Sequence, residues 1–115
     1  MKVNVLFLLL GLALIIVCAF ACSLAQSKIL RVGTDAENPP FTYQEGNNIK
    51  GIDIEICKRI ADKLGIKLQV TRYQFEDLFS ALAQNKIDVA ASAITITPKR
   101  KQTMDFTIPY FETDL

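Results

Sequence analysis

The chain has 115 residues, with 13 Lys and Arg against 12 Asp and Glu, three Cys and no His. This length suffices for one small domain. The lack of His removes the commonest general base and metal ligand, and one Cys beyond the first 25 residues is too few for a zinc site. From Gln26 onward the charges balance, so there is no basic stripe that would bind nucleic acid. We therefore expect no metal, no cofactor and no nucleic-acid partner.

The first 25 residues have the pattern of a secretory signal peptide. An apolar run from Val5 to Cys22 follows Lys2 and ends in small residues. We expect cleavage before Gln26. Cleavage before Cys22 is the alternative and would suit lipid attachment to that cysteine. A run of about 18 residues is also at the threshold for an uncleaved membrane anchor. Each alternative places residues 26–115 at the periplasm or the extracytoplasmic face.

The rest of the chain alternates strand and helix patterns in the order βαβαβα. Short apolar runs bounded by polar or glycine residues predict strands, and amphipathic runs predict helices. The Asp35–Pro40 segment between the first strand and the first helix is predicted as a loop, because its two prolines force extended backbone. The predicted strands are Lys28–Thr34, Ile66–Val70 and Ile87–Ser92, and the predicted helices are Ile52–Leu64, Phe75–Gln84 and a short one from Pro98 to near Met104.

The pattern also predicts which faces are buried. In the first helix, apolar residues recur every four positions, and we expect Ile52, Ile56, Ile60 and Leu64 to point inward, with Cys57 and Ala61 beside them. Asp53 is among the charged residues expected on the other side. Gly65 is expected to end this helix. The third strand, rich in Val and Ala, is expected to be buried on both faces. The fold class is therefore α/β, a parallel or mixed sheet flanked by helices.

Ligands of open α/β sheets bind beyond the carboxyl ends of the strands. The segment Ser92–Arg100 joins a strand end to a helix start, with Thr97 suited to the N-cap. Arg100 in the first turn suits a carboxylate, although a solvated basic turn is the alternative. Phe75 is either a stacking platform or a core residue. Asp35 either accepts a hydrogen bond from a ligand or caps its own loop.

Several segments together resemble the family-3 extracellular solute-binding proteins, which serve ABC importers of polar amino acids. The clearest is Gly51–Ile56 (GIDIEI). The others are VGTDAENPPF near the start, KIDVAASAITITPKR in the middle and MDFTIPY near the end. All stand in the family's order and at about its spacing, from Lys28 to Leu115.

The resemblance implies a two-lobed periplasmic-binding-protein fold that closes over an amino acid, with residues 26–115 as the N-terminal part of the first lobe and the second lobe missing. It places Arg100 and Thr95 at a carboxylate clamp, with Ser92 and Ala93 at the ligand head. Phe75 falls on one stacking aromatic. Asn38 stands where several members carry the second aromatic, which departs from the family pattern. The implied ligand-binding set is Asp35, Asn38, Phe75, Ser92, Ala93, Thr95 and Arg100.

We expect substrate capture rather than catalysis, with an amino acid as ligand and the membrane permease of an ABC importer as partner. Because ligand pockets bury 70–90% of a small ligand, we also expect one lobe alone to bind weakly or not at all. Three alternatives stay open. Some similar proteins are dehydratases, which would need an acid–base pair, and Asp35 has no convincing partner in the sequence. The same lobes occur in sensor modules. The third is that the chain is a fragment that either has no function or depends on a partner.

Overall fold

The computed structural model describes residues 4–23 and 28–113. Helix α1 spans Val5–Ser23 and coincides with the apolar run of the predicted signal peptide. The predicted cleavage site before Gln26 lies outside the described residues. Within the part of the chain that the structure describes, no helix meets the length and hydropathy required to cross a membrane.

Beyond α1 the three predicted strands and three predicted helices occur in the predicted order, and three further short strands lie between the first strand and the next helix. The strands are β1 Ile29–Thr34, β2 Glu37–Asn38, β3 Thr42–Glu45, β4 Asn48–Lys50, β5 Lys67–Arg72 and β6 Val89–Ala90, and the helices are α2 Ile52–Leu64, α3 Phe75–Ala83 and α4 Pro98–Lys101.

The main sheet has the order β5-β1-β6, and both of its pairings are parallel. Strand β1 is central and runs beside β5 from Ile29 opposite Lys67 to Thr34 opposite Arg72. Parallel strands need crossover connections, which α2 and α3 provide. The predicted α/β class is therefore confirmed.

Each face of this sheet carries its own apolar core. On one face Val32 packs with Cys57 of α2 and Ala91. On the other face Leu78 and Ala81 of α3 pack with Ile87. Since successive residues of a strand point to opposite faces, β1 serves both cores. The two helices cover opposite faces, as the crossover rule predicts.

The predicted inward face of α2 is wrong in part: Cys57 and Ala61 are buried as expected, but three of the four residues of the predicted stripe are exposed. Ile52, Ile60 and Leu64 are 44%, 43% and 63% exposed, whereas Asp53, Ile54, Cys57 and Ala61 are the buried residues of the helix. A helix turns about 100° per residue, so each step of four residues moves the side chain about 40° around the helix axis. A run of such steps therefore does not stay on one face of the helix. Steps of three and four, as from Ile54 through Cys57 to Ala61, stay on one face. Gly65 ends the helix in the left-handed conformation, as predicted.

Three other segments differ from the predictions. Strand β6 has two residues, both half-buried, instead of a six-residue strand buried on both faces. It is an edge of the main sheet within the described residues, so it has one hydrogen-bonded neighbour. Helix α4 ends at Lys101 rather than near Met104, because the next two N–H groups, of Gln102 and Thr103, bond only three residues back, to the carbonyls of Lys99 and Arg100.

The Asp35–Pro40 segment, predicted as a loop, contains strand β2, which begins a second small sheet between β1 and α2. Strands β2, β3 and β4 form an antiparallel meander, with Asn38 opposite Thr42 and Glu45 opposite Asn48. The peptide bond between Pro39 and Pro40 is cis and lies in the turn from β2 to β3. This meander stands at the end of β1 and supplies one side of the site described below.

Candidate functional site

The carboxyl ends of β1, β5 and β6 open into one pocket of about 330 Å³. All seven residues of the predicted ligand-binding set line it: Asp35, Asn38, Phe75, Ser92, Ala93, Thr95 and Arg100. They come from the loop after β1, the start of α3 and the segment between β6 and α4. The structure thus brings together residues that are up to 65 positions apart in the chain, and their role in binding stays a prediction.

Asp35 lies at the centre of a hydrogen-bonded network. Its carboxylate accepts from the hydroxyl of Ser92, from Asn38 Nδ2 at 2.8 Å and from the Glu37 N–H at 3.3 Å. Its own N–H donates to Ser92 Oγ at 2.9 Å. The bond to Glu37 is the loop-capping arrangement that the sequence left open. A carboxylate has about four acceptor positions, so one position remains for a further donor.

Two buried threonines support this network and were missed by the sequence analysis. Thr34 and Thr42 are both fully buried, and their hydroxyls lie 2.6 Å apart. Thr34 Oγ1 is also 3.3 Å from Ser92 Oγ. A threonine at the end of a buried strand is the available signal, since a buried hydroxyl requires a partner. These contacts fix the end of β1 against the meander and against the segment after β6.

Arg100 occupies the opposite side of the pocket. Its Nη1 donates to the carbonyl of Thr95 at 2.9 Å, and its Cζ lies 5.6 Å and 5.2 Å from the ring centres of Phe75 and Phe79. These are cation–π distances. None of the three ion pairs among the described residues includes Arg100. A guanidinium carries five N–H donors, so most of its donors remain for an anion.

The turn that carries Arg100 is built as predicted. The Thr97 side chain accepts from the Arg100 N–H at 3.2 Å, and Pro98 takes the first helical position. Helix α4 has only four residues, so its dipole is small. Attraction for an anion at this turn therefore rests on the guanidinium of Arg100.

Phe75 begins α3 and is half-buried in the pocket. Its ring meets that of Phe79 edge to face, with centres 5.4 Å apart and planes at 84°. The ring is therefore part of an aromatic pair beneath Arg100. Phe75 therefore packs against Phe79 and also lines the pocket, and its role as a stacking platform stays a prediction.

Ser92 and Ala93 already use their donors within the chain. The Ser92 hydroxyl bonds to Asp35, and the Ala93 N–H donates to Asp53 Oδ2 at 2.8 Å. A ligand would gain these two donors only by displacing those contacts. Asp53 was assigned to the solvent side of α2 from its charge, and it is instead 2% exposed.

Arg72, at the end of β5, ties the meander to the main sheet and was also missed by the sequence analysis. Its Nε donates to the carbonyl of Asp35 at 3.0 Å, and its Nη2 lies 2.8 Å from Glu37.

Among the described residues, no cluster of three or more metal-ligating side chains is present.

Comparisons with known proteins agree with this architecture. Residues 30–115 match the family model for bacterial extracellular solute-binding proteins, family 3. The arginine-binding extracellular protein ArtP of Bacillus subtilis (strain 168) is 40% identical over 84 residues, which are 73% of this chain and 33% of that protein. The cyclohexadienyl dehydratase of Pseudomonas aeruginosa is 35% identical over 86 residues, which are 74% of this chain and 32% of that protein.

A solved structure gives the same result in three dimensions. The arginine-bound form of domain 1 from TmArgBP matches with a TM-score of 0.70 and 42% identity, covering 72% of this chain and 67% of that chain. The chain spans about a third of the length of the curated relatives it matches.

Proposed function

Because this chain belongs to the bacterial extracellular solute-binding proteins, family 3, we propose that it captures an amino acid outside the cytoplasm for an ABC-type importer. The observation that carries the proposal is the pocket itself. It combines a cation without an ion-pair partner among the described residues, an aromatic ring and a buried carboxylate.

Arg100 is the proposed partner of the ligand carboxylate. Its guanidinium faces the pocket with donors to spare and is held by Thr95 and by two aromatic rings. A planar guanidinium can bind a carboxylate through two parallel hydrogen bonds. Desolvation against the rings strengthens this attraction, because a charge pair gains more in a less polar surrounding.

Asp35 and Phe75 are proposed to select the ligand side chain. Phe75 offers an apolar face beside Arg100, and Asp35 retains one acceptor position on a carboxylate that is 6% exposed. A cationic or amide side chain that both stacks and donates would suit this pair. Arginine is the specific candidate, because ArtP is an arginine-binding protein and the structure of domain 1 from TmArgBP is an arginine-bound form. Import of the captured amino acid would also require the membrane permease of the importer.

The form of the pocket bears on whether one lobe alone binds an amino acid. A pocket lined by this lobe alone predicts weak binding, because it leaves much of a ligand in water. The existence of an arginine-bound form of domain 1 from TmArgBP supports the opposite outcome.

Export through the segment 1–25 is part of the same proposal, and intact-mass measurement of the secreted chain would distinguish cleavage before Gln26 from lipid attachment at Cys22.

The decisive experiment is a thermal-denaturation screen of the chain against the twenty amino acids, followed by calorimetry. A ligand that binds only the native state raises its stability by about 2.7 kcal/mol at a hundred times the dissociation constant. We expect L-arginine to raise the melting temperature and L-glutamate to leave it unchanged. A cooperative melt that none of the twenty shifts would contradict capture by this chain.

A dehydratase is the second candidate, because the cyclohexadienyl dehydratase is similar over 74% of the chain. Such chemistry needs an acid and a base in the cleft. Asp35 is the only carboxylate among the residues that line the pocket within the described part of the chain. Turnover of prephenate, followed by absorbance, would favour the enzyme over the binding protein.

A further inference from the structure

Asp53 is a buried carboxylate at the start of α2 that bonds to two distant parts of the chain. It is 2% exposed. Its Oδ2 accepts from the Ala93 N–H at 2.8 Å, and its Oδ1 accepts from the Tyr110 hydroxyl at 2.7 Å. A buried charge is costly unless hydrogen bonds satisfy it, so both contacts are needed to keep this carboxylate inside the fold.

The contact to Ala93 acts on the pocket. Ala93 lines it and has φ of 49°, in the left-handed region, which is unfavourable for a residue with a Cβ. A charge-assisted hydrogen bond from the N–H of this residue opposes that cost. The Asp53 carboxylate therefore stabilises a backbone conformation at Ala93 that alanine rarely adopts.

The same turn of α2 holds the meander. The N–H groups of Ile52 and Asp53 donate to the carbonyls of Pro40 and Phe41 at 3.1 Å and 3.0 Å. Asn38, two residues before Pro40, lines the pocket from this side. The first turn of α2 is thus bonded to two pocket segments that come from different strands.

Tyr110 adds the third connection. Its hydroxyl reaches Asp53, and the ring of the next residue, Phe111, meets Phe41 edge to face with centres 4.9 Å apart. Burial, and then the hydrogen bond to Asp53, raise the pKa of Tyr110. The segment around Tyr110 is therefore attached to the same turn of α2 that supports the pocket.

We propose that Asp53 is a positioning residue of the pocket, which fixes the Ala93 backbone and links it to the docking of the Tyr110 segment. The proposal rests on the proposed function only for its effect on ligand affinity. Its structural part concerns Ala93 itself and can be tested without a ligand.

The test measures amide hydrogen exchange by NMR and L-arginine affinity by calorimetry in the chain and its variants. Asp53→Ala removes both acceptors, and Asp53→Asn keeps the size and one acceptor but not the charge. We expect the Ala93 amide to exchange about tenfold faster in Asp53→Ala and by a smaller factor in Asp53→Asn. The Ala91 amide, which bonds to the Gly33 carbonyl at 2.9 Å, is the internal control and should keep its protection.

L-arginine affinity should fall in the same order as the Ala93 protection. Tyr110→Phe should weaken affinity less than Asp53→Ala, and Tyr43→Phe is the matched control because its hydroxyl makes no side-chain hydrogen bond among those of the described residues. If Asp53→Ala does not fold, the exchange rate of the Ala93 amide in Asp53→Asn tests the positioning role instead.

Unchanged Ala93 exchange in Asp53→Asn and Asp53→Ala would overturn the positioning role. Faster Ala93 exchange with unchanged L-arginine affinity would also overturn it, since the pocket would not depend on this contact. A wild-type chain that binds no amino acid would instead count against the proposed function, and the selective loss of Ala93 protection would still support the positioning role.

Discussion

The two sides of the pocket use their polar groups differently. On the side that we call the closed wall, formed by Asp35, Asn38 and Ser92, the Asp35 carboxylate accepts hydrogen bonds from both of the other side chains. Asp35 and Ser92 are almost fully buried. On the side that we call the open wall, Phe75 and Arg100 are half-buried, and Arg100 takes part in no ion pair of the described residues. Most of the hydrogen-bonding capacity left for a ligand therefore lies on the open wall.

This difference separates stability from binding. Hydrogen bonds that are satisfied within the chain fix the shape of a site before the ligand arrives, which lowers the cost of binding. Donors that have no partner in the chain supply the attraction itself. Substitutions on the closed wall should therefore reduce stability first, and substitutions on the open wall should reduce affinity first.

The largest effect is expected on the open wall. Arg100→Ala should weaken L-arginine binding by about 2–5 kcal/mol, the range for removing one partner of a buried charged pair. The melting temperature without ligand should change little. Lys99→Ala is the matched control, since Lys99 is an exposed neighbour outside the pocket. Calorimetry that gives equal affinities for Arg100→Ala and the wild type would refute the carboxylate assignment.

Gly51 tests the support of the closed wall. It has φ of 128°, and a Cβ added there would lie 2.1 Å from the carbonyl oxygen of Phe41, a backbone atom that cannot move aside. We expect Gly51→Ala to lower the free energy of unfolding by at least about 3 kcal/mol. Urea denaturation measures this effect.

The control for Gly51 is a second glycine with positive φ. Gly46 has φ of 59°, and its Cβ position has no atom within 4 Å. Gly46→Ala should therefore cost only about 1 kcal/mol, from backbone strain alone. Equal losses in the two variants would show that α2 does not press against the meander.

Ser92 tests the closed wall directly. Ser92→Ala removes the hydroxyl that donates to the Asp35 carboxylate and accepts from the Asp35 N–H. Leaving these buried groups without a partner should cost about 1–3 kcal/mol of unfolding free energy. Ser80→Ala, at an exposed position of α3, should change stability by less than about 0.5 kcal/mol. A loss of affinity without a loss of stability in Ser92→Ala would contradict the division between the walls.

The fold was predictable wherever a local pattern decides the structure. The strands β1 and β5, the helices α2 and α3, and the caps at Gly65 and Thr97 follow from apolar periodicity and from the conformational preferences of single residues. The length of β6 was not predictable, because it depends on whether a neighbouring strand extends the pairing. The meander was not predictable either, since its two- to four-residue strands carry too few residues to show a period.

The site divides in the same way. Its seven lining residues followed from strand ends and from the resemblance to a family, and the structure gathers them into one pocket. The residues behind them did not follow. Asp53 has the charge of a surface residue, and only the tertiary contacts to Ala93 and Tyr110 explain its burial. The burial of Thr34 and Thr42 is likewise explained only by a tertiary contact, the hydrogen bond between their hydroxyl groups.

The smallest expected effect concerns the core beneath α2, on which the closed wall rests. Burial, and then the charge of Asp53, raise the pKa of Cys57 to about 11, from an ordinary value of about 8.5. Between these two values the unfolded chain releases a proton that the native chain keeps. Stability should therefore fall as the pH rises from about 8.5 towards 11, with no contribution from Cys57 below that range.

Urea denaturation of the wild type and of Cys57→Ala at pH 7.5, 9 and 10.5 measures this contribution together with the smaller change at Tyr110, whose pKa is raised first by burial and last by the charge of Cys57. The decline should be steeper in the wild type. The native thiol should also react with a thiol reagent more slowly than that of the unfolded chain, since the thiolate is the reactive form. Equal pH slopes and rapid native labelling would mean that α2 opens readily, and a closed wall anchored on α2 could not then be rigid before the ligand arrives.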